Sequence, residues 1–455
     1  MTNKSVSKEI AYFIVNAKVK KSTKKIARRF LVDWIGSVIA GSATKPIKSI
    51  QKTITELGGK DQATILFSSK KSNLALAAFT NAAAAHVIEM DDLDRGSISH
   101  PGSSIISATL AYAEFHNLDM DELLDAIVIG YEIMIRIGEV LGTDHYQYWH
   151  TTGTAGTIGV AAAISRISKA AVHETLMAMG TAGTMTAGLW EFLDDGAMSK
   201  QLHPAKAAHD GILSTLLSKN GFTGATKIIE GNKGLFAAMS PKNNPSRIVK
   251  KLTLALDKWK IENVSFKMYA SCRHTHPAVE GALQIIKEEN IQYTNIVSVN
   301  VEIYSQALEL LSKVKANSPY SAKFNLPFCI ASAIIFGDLG PSRFTEKTIK
   351  DKKIISLSKK IKFSVDKSLD KEYPLKWPSN VSIQLKNKKI INKLIHYPLG
   401  DPENPISNID LKNKFLSLTK TKLNKKSEKL IDQLLIESQD IKPRKLINKI
   451  TNLQR

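Results

Sequence analysis

The sequence predicts a mainly α protein: a large all-helical domain drawn from two chain segments, with a smaller α+β domain between them. Three observations lead there. Apolar residues recur at three- and four-residue steps from the start to about Ser265, short stretches alternate apolar and polar between 266 and 400, and helical spacing returns from Leu411 to Ile450. The expected organisation is a first helical segment over residues 1–265, an α+β domain over 266–400, and a helical segment over 401–455 that packs back on the first.

Each element has a local reason. Asn73 to Met90 is an Ala-rich helix, and a second runs from Ser103 to about Glu114. From Asp121 to about Gly138, Leu123, Leu124, Ile127, Val128 and Tyr131 line one helical face. Helices over Gly153 to Ile167 and Pro204 to Ser218 complete the first segment, the latter stopped by Asn220-Gly221. Val297, Val299, Val301 and Ile303 alternate as in a half-buried strand, as do Ile361, Phe363 and Val365, and then Val381, Ile383 and Leu385. A helix lies between Phe324 and Phe336, and the loop DPENPIS at Asp401 to Ser407 closes this part.

Composition sets the outer limits. With 455 residues, 43% hydrophobic and 23% charged, the chain can bury a substantial core, and no stretch approaches the roughly 18 apolar residues of a membrane span. The opening MTNKSVSKEI lacks a signal-peptide core, and two cysteines supply no disulfide framework, so a reducing cytoplasm is the expected compartment. An iron–sulfur cluster normally takes three or four thiolates, which Cys272 and Cys329 cannot provide. Any dehydratase chemistry must then be cluster-free. The net charge of +21 formally invites a polyanion partner, yet from Pro341 to Arg455 there are 27 basic and 12 acidic residues, scattered through amphipathic segments without aromatic stacking motifs. That pattern reads as a solvated basic surface, with a nucleic-acid or acidic-surface binding protein as the remote alternative.

Four segments carry the chemistry: HPGSS at His100, HTTGT at His150, HPAKA at His203 and HPAVEGA at His276. Each histidine stands at the entry of an expected helix. The bland reading is that His-Pro is a convenient helix start. The functional reading is that a helix N-terminus offers unpaired N–H groups and partial positive charge, and a histidine there adds an acid or base. Several such termini meeting in one cleft would bind a small polycarboxylate. Lys200, three residues before His203, and Lys267, ahead of Arg273, His274 and His276, supply cations that can meet the negative charge developing when a proton leaves a carbon next to a carboxylate. The acidic counterpart is EMDDLDRGSISHPG, where Glu89, Asp91, Asp92 and Asp94 crowd a helix end. Its spacing is not that of an EF-hand, and Cys272, His274 and His276 lack a fourth ligand at a recognised spacing, so no metal and no cofactor is expected. HTTGTAGTIG has neither GxGxxG nor GxxxxGK[ST] and serves close helix packing, and no G-x-S-x-G elbow is present.

Across FLVDWIGSVIAGS, NAAAAHVIEMDDLDRGSISHPGSSIISATLAYAE, HTTGTAGTIGVAAAI, MSKQLHPAKAAHDGILSTLLSKNGFTGATKIIEG, KMYASCRHTHPAVEGAL and HYPLGDPENP the chain resembles the MmgE/PrpD family, which includes 2-methylcitrate dehydratase, cis-aconitate decarboxylase and iminodisuccinate epimerase. The resemblance implies a helical domain with a lid-like α+β domain, a homodimer, and a site in the cleft between domains. It implies a cofactor-independent lyase, a hydro-lyase first and a decarboxylase or epimerase as alternatives. Carried over by motif, the site positions are Glu89, Asp91, His100, His150, Lys200, Lys267 and His276, with Arg273 and His203 in flanking positions. His100, His150, Lys200 and Lys267 are expected to be catalytic; Glu89, Asp91, His203, Arg273 and His276 are expected to bind substrate. Two positions depart from the pattern: Leu93 stands where Thr is frequent, and Phe328 where Tyr is common.

Overall fold

The computed structural model describes residues 5–68, 70–252, 258–435 and 441–454. Its principal helices are α1 (Lys21–Gly41), α2 (Leu74–His86), α3 (Pro101–His116), α4 (Met120–Tyr146), α5 (Thr151–Ile167), α6 (Leu202–Lys219), α7 (His276–Glu288), α8 (Leu326–Phe336), α9 (Asn408–Thr419), α10 (Ser427–Leu435) and α11 (Pro443–Thr451). The fold is mainly α with one smaller α+β part.

In the helical part, α5 is packed among α4, α6 and α3, and every residue from Thr151 to Ser165 is buried. A helix buried all round needs small residues where its neighbours approach. A Cβ added to Gly159 would come within 2.6 Å of the Met134 Cβ, and one on Gly153 within 2.3 Å of the Ala187 carbonyl oxygen. The glycine-rich run is therefore a packing surface.

The α+β part is a four-stranded sheet in the order β2-β1-β3-β4, with β1 (Ile296–Ile303), β2 (Ile361–Val365), β3 (Ser379–Leu385) and β4 (Ile390–Ile395). β1 pairs parallel to β2 and antiparallel to β3, and β3 pairs antiparallel to β4. α7 lies against β3 and β4, and α8 against α7. β4 escaped the sequence reading because IINKLI at this edge exposes Ile390 and Leu394, which blurs its alternation.

α9 packs on α1, α10 also reaches α1, and α11 lies against α3. Three basic residues of this last quarter tie it to the helical part, of which Lys414 is buried, Lys422 half-buried and Arg444 exposed. The Lys414 ammonium pairs with buried Asp33 at 2.6 Å. Lys422 Nζ donates to the Ile39 carbonyl at 2.6 Å, and the Arg444 guanidinium donates to the carbonyls of Glu114 and Phe115 at 2.8 and 2.7 Å. These last two cap the carbonyl ends of α1 and α3, where positive charge is favoured. The expected helical run from Leu411 to Ile450 includes residues 436–440, which lie outside the described residues. No helix among the described residues is long and apolar enough to cross a membrane.

Candidate active site

The site forms where α2 ends and α3, α5 and α6 begin. The Ala-rich helix stops at His86, four residues short of its expected end, and Glu89 takes a left-handed φ of 57°. Two lysines from distant segments hold that turn. Lys323 Nζ donates to the carbonyls of Ile88 and Ala270 at 2.9 Å each, and Lys414 Nζ donates to the Met90 carbonyl at 2.8 Å. The helix itself ends in a tighter turn, in which the Glu89 N–H donates to the His86 carbonyl at 3.0 Å, and the lysines hold the segment that follows.

The turn aims Glu89 inward. Its carboxylate, 1% exposed, accepts from Lys200 Nζ and, at 3.0 Å, from Lys267 Nζ. Burial alone would raise its pKa, but the two ammonium groups overcome that and hold the carboxyl well below its ordinary range. Asp91, whose carboxyl is pushed up by burial, accepts from His86 Nδ1 at 2.7 Å and lies 3.6 Å from His100 Nδ1. The other two carboxylates serve the loop. Asp92 accepts from the Gly102 N–H at 3.0 Å and the Tyr131 hydroxyl at 2.7 Å, and Asp94 accepts from the Ser97 N–H at 2.7 Å.

His100 and His150 occupy the N-cap positions of α3 and α5, and His203 is the second residue of α6. His100 Nδ1 donates to the Asp92 carbonyl at 2.7 Å, which leaves its Nε2 with a lone pair. The His100 N–H donates to Thr152 Oγ1, Thr152 Oγ1 is 3.0 Å from His150 Nε2, and His150 Nδ1 is 3.0 Å from His203 Nδ1. A bond between two Nδ1 atoms needs one protonated and one bare nitrogen, so the pair can pass a proton. Desolvation holds His86 and His150 well below the ordinary imidazole range, reinforced by Lys200 for His86 and His203 for His150, and brings His100 and His203 down to about 3. These imidazoles are therefore neutral at pH 7. An arriving polyanion would raise their affinity for protons.

Sequence reasoning missed His86 and Thr152. His86 sits in an apolar Ala run that reads as core, and only its distance of five residues from Asp91 hinted at a role. With His100 and His150 it forms a buried triad whose ring nitrogens, one from each, lie within 4.8 Å of one another, close enough to suggest a metal site. The ammonium groups of Lys200 and Lys267 set a positive field there. That field opposes a cation for the reason it opposes a proton on His86, and Glu89 offsets it only in part, so the cluster suits an anion better.

The remaining candidates lie around this centre. The Arg273 guanidinium donates to Asp401 at 2.5 Å, which also accepts from the Ser265 hydroxyl at 2.7 Å, and its Nη1 has no partner among the described residues. His276 opens α7, bonds through Nε2 to the Ser271 carbonyl at 3.2 Å, and feels the charges of Lys267 and Glu89. His274 stacks on Trp377 with centroids 4.3 Å apart and bonds the Tyr304 hydroxyl at 2.5 Å. Leu93 is tied by its backbone to Ser265 at 2.8 and 3.0 Å, and the Phe328 ring packs 5.7 Å from that of Phe344.

A cleft of about 840 Å³, lined among others by Tyr146, Leu189, Trp190, Glu309 and Ser321, opens beside the centre between the helical and α+β parts. The Trp190 ring lies 4.7 Å from that of His150 and 5.0 Å from that of Tyr146, so the cleft abuts the histidines.

Two family models and curated relatives match the chain. The family model of the MmgE/PrpD N-terminal domain matches residues 8–248, and that of the MmgE/PrpD C-terminal domain matches residues 269–438. The chain is 23% identical over 426 residues to a cis-aconitate decarboxylase-like protein of Aspergillus oryzae, covering 89% of this chain and 87% of that one. It is 23% identical over 383 residues to a cis-aconitate decarboxylase of Aspergillus terreus, covering 79% and 77%.

Proposed function

The chain belongs to the MmgE/PrpD family, and from that membership and the buried centre we propose that it is a cofactor-independent lyase acting on a small di- or tricarboxylate, in the leading reading a hydro-lyase similar to 2-methylcitrate dehydratase. The observation that carries the reading is the meeting of neutral imidazoles with two buried lysines that share one carboxylate.

In this mechanism Lys200, Lys267 and the free edge of Arg273 attract substrate carboxylates, and His276 borders them. His100 Nε2 takes a proton from the carbon next to a carboxylate. The electron pair left behind delocalises into that carboxylate, and the lysine N–H groups not used by Glu89 stabilise the enolate-like charge. His150, coupled to His203, protonates the departing hydroxyl; the C–O bond breaks, a C=C bond forms and water leaves. Asp91 and Glu89 keep the imidazoles and ammonium groups oriented.

A second reading is decarboxylation, favoured by the names of the relatives. It reaches the same carbanion by loss of carbon dioxide, and epimerisation would use it with reprotonation on the opposite face. Incubating the purified protein with 2-methylcitrate, citrate, cis-aconitate and iminodisuccinate, while following alkene absorbance, carbon dioxide and optical rotation, separates the three. Dehydration of a hydroxy-tricarboxylate is the expected result, and silence with all four substrates would falsify the lyase assignment.

A further inference from the structure

Lys200 is followed by Gln201, which is 1% exposed and whose side-chain Nε2 and Oε1 both lack a hydrogen-bond partner among the described residues. Beside it lies Tyr320, whose buried hydroxyl has the Gln201 amide as its neighbour, is in good bonding geometry with nothing among the described residues, and feels the charge of Glu89. The Tyr320 ring packs 5.5 Å from that of Phe324, and the Lys200 ammonium lies 5.1 Å from the same Phe324 ring, so the three side chains are contiguous. Folded proteins leave few buried polar atoms unpaired, and a bond between Gln201 and Tyr320 would satisfy only one of the two amide atoms. At least one polar atom of the Gln201 amide thus remains open to a ligand group.

The chemistry of the orphans defines that group. The ammonium groups nearby suit carboxylates, which only accept hydrogen bonds. An amide and a phenol side by side, each able to donate and to accept, are complementary to a group that also donates and accepts. We propose that Gln201 and Tyr320 form a hydroxyl-reading subsite, so that the substrate is a hydroxy-polycarboxylate; this rests on the polycarboxylate reading above and narrows it. A site built to pair a hydroxyl rejects the analogue that lacks it, because its own buried groups are then left unpaired.

Citrate and tricarballylate form the matched pair of probes, with three carboxylates on the same carbon chain and only the hydroxyl differing. Calorimetric titration of the full chain is expected to give citrate an advantage on the order of 10²-fold in Kd. Gln201→Leu and Tyr320→Phe, close in volume, should each remove most of that advantage while changing the tricarballylate Kd by no more than about threefold, which also reports that the site remains folded. Equal affinities in the wild type overturn the subsite, as does a preference that survives both substitutions or a variant that loses both ligands alike. A wild type that discriminates yet turns over no polycarboxylate sinks the lyase reading alone, and one that binds neither probe sinks both.

Discussion

Glu89→Gln is the perturbation that the structure prices most directly. Its carboxylate is the shared counter-ion of Lys200 and Lys267, and the three side chains are 1%, 4% and 0% exposed. As a group they carry one net positive charge; the substitution keeps the shape and raises it to two, with water excluded. Removing one partner of a buried ion pair costs about 3–5 kcal/mol, because the charge left behind is uncompensated. The variant should therefore lose about that much stability in urea unfolding followed by tryptophan fluorescence, unless one lysine gives up its proton. kcat/KM for the preferred substrate should fall with it, because the lysines lose the anchor that orients them. Adding Lys200→Met returns the local charge to its original value, so the double variant should regain at least half of the lost stability while remaining inactive. A Glu89→Gln protein within about 1 kcal/mol of the wild type, or a double variant no more stable than the single one, would refute the shared counter-ion argument.

Other consequences are equally concrete. Because His100, His203 and His274 titrate at about 3 in the fold and near 6.5 when unfolded, the unfolded chain takes up protons that the folded one refuses, so stability is full above pH 6.5 and drains away as the pH falls toward 3. Melting curves should drop clearly between pH 7.5 and 5.0, and added tricarboxylate should recover part of the loss; a flat profile contradicts the neutral imidazoles. Lys323→Met strips the partner from the Ile88 and Ala270 carbonyls, at about 1–3 kcal/mol each, and should lower kcat more than it raises KM because the Glu89 turn loosens. Gly102→Ala would place a Cβ 2.5 Å from the Tyr131 hydroxyl and 2.8 Å from Asp92, so the Asp92 loop must shift and steady-state activity should fall at least tenfold.

The helical part was legible because its packing is written in small residues and apolar spacing, and three of the sheet's four strands because their apolar residues alternate. The site was legible to the extent that its side chains sit at helix entries: His100, His150, His203 and His276 all announce themselves through the residues that follow them. What stayed hidden depends on contacts across long sequence separations. Nothing near Lys323 or Lys414 in the sequence signals that they bond the turn carrying Glu89, or that Asp401 meets Arg273 across 128 residues. Gln201 and Tyr320 were invisible for another reason, since a missing hydrogen-bond partner is a property of the folded interior alone.

Proton exchange at carbon tests the central claim most directly. With citrate and cis-aconitate in deuterium oxide, followed by proton NMR, the wild type should exchange a methylene hydrogen next to a carboxylate with solvent, and His100→Asn should slow that exchange by a factor on the order of 10²–10⁴ while still binding the ligand. Exchange that proceeds unchanged in His100→Asn, or that never occurs with any polycarboxylate the wild type binds, would contradict the account.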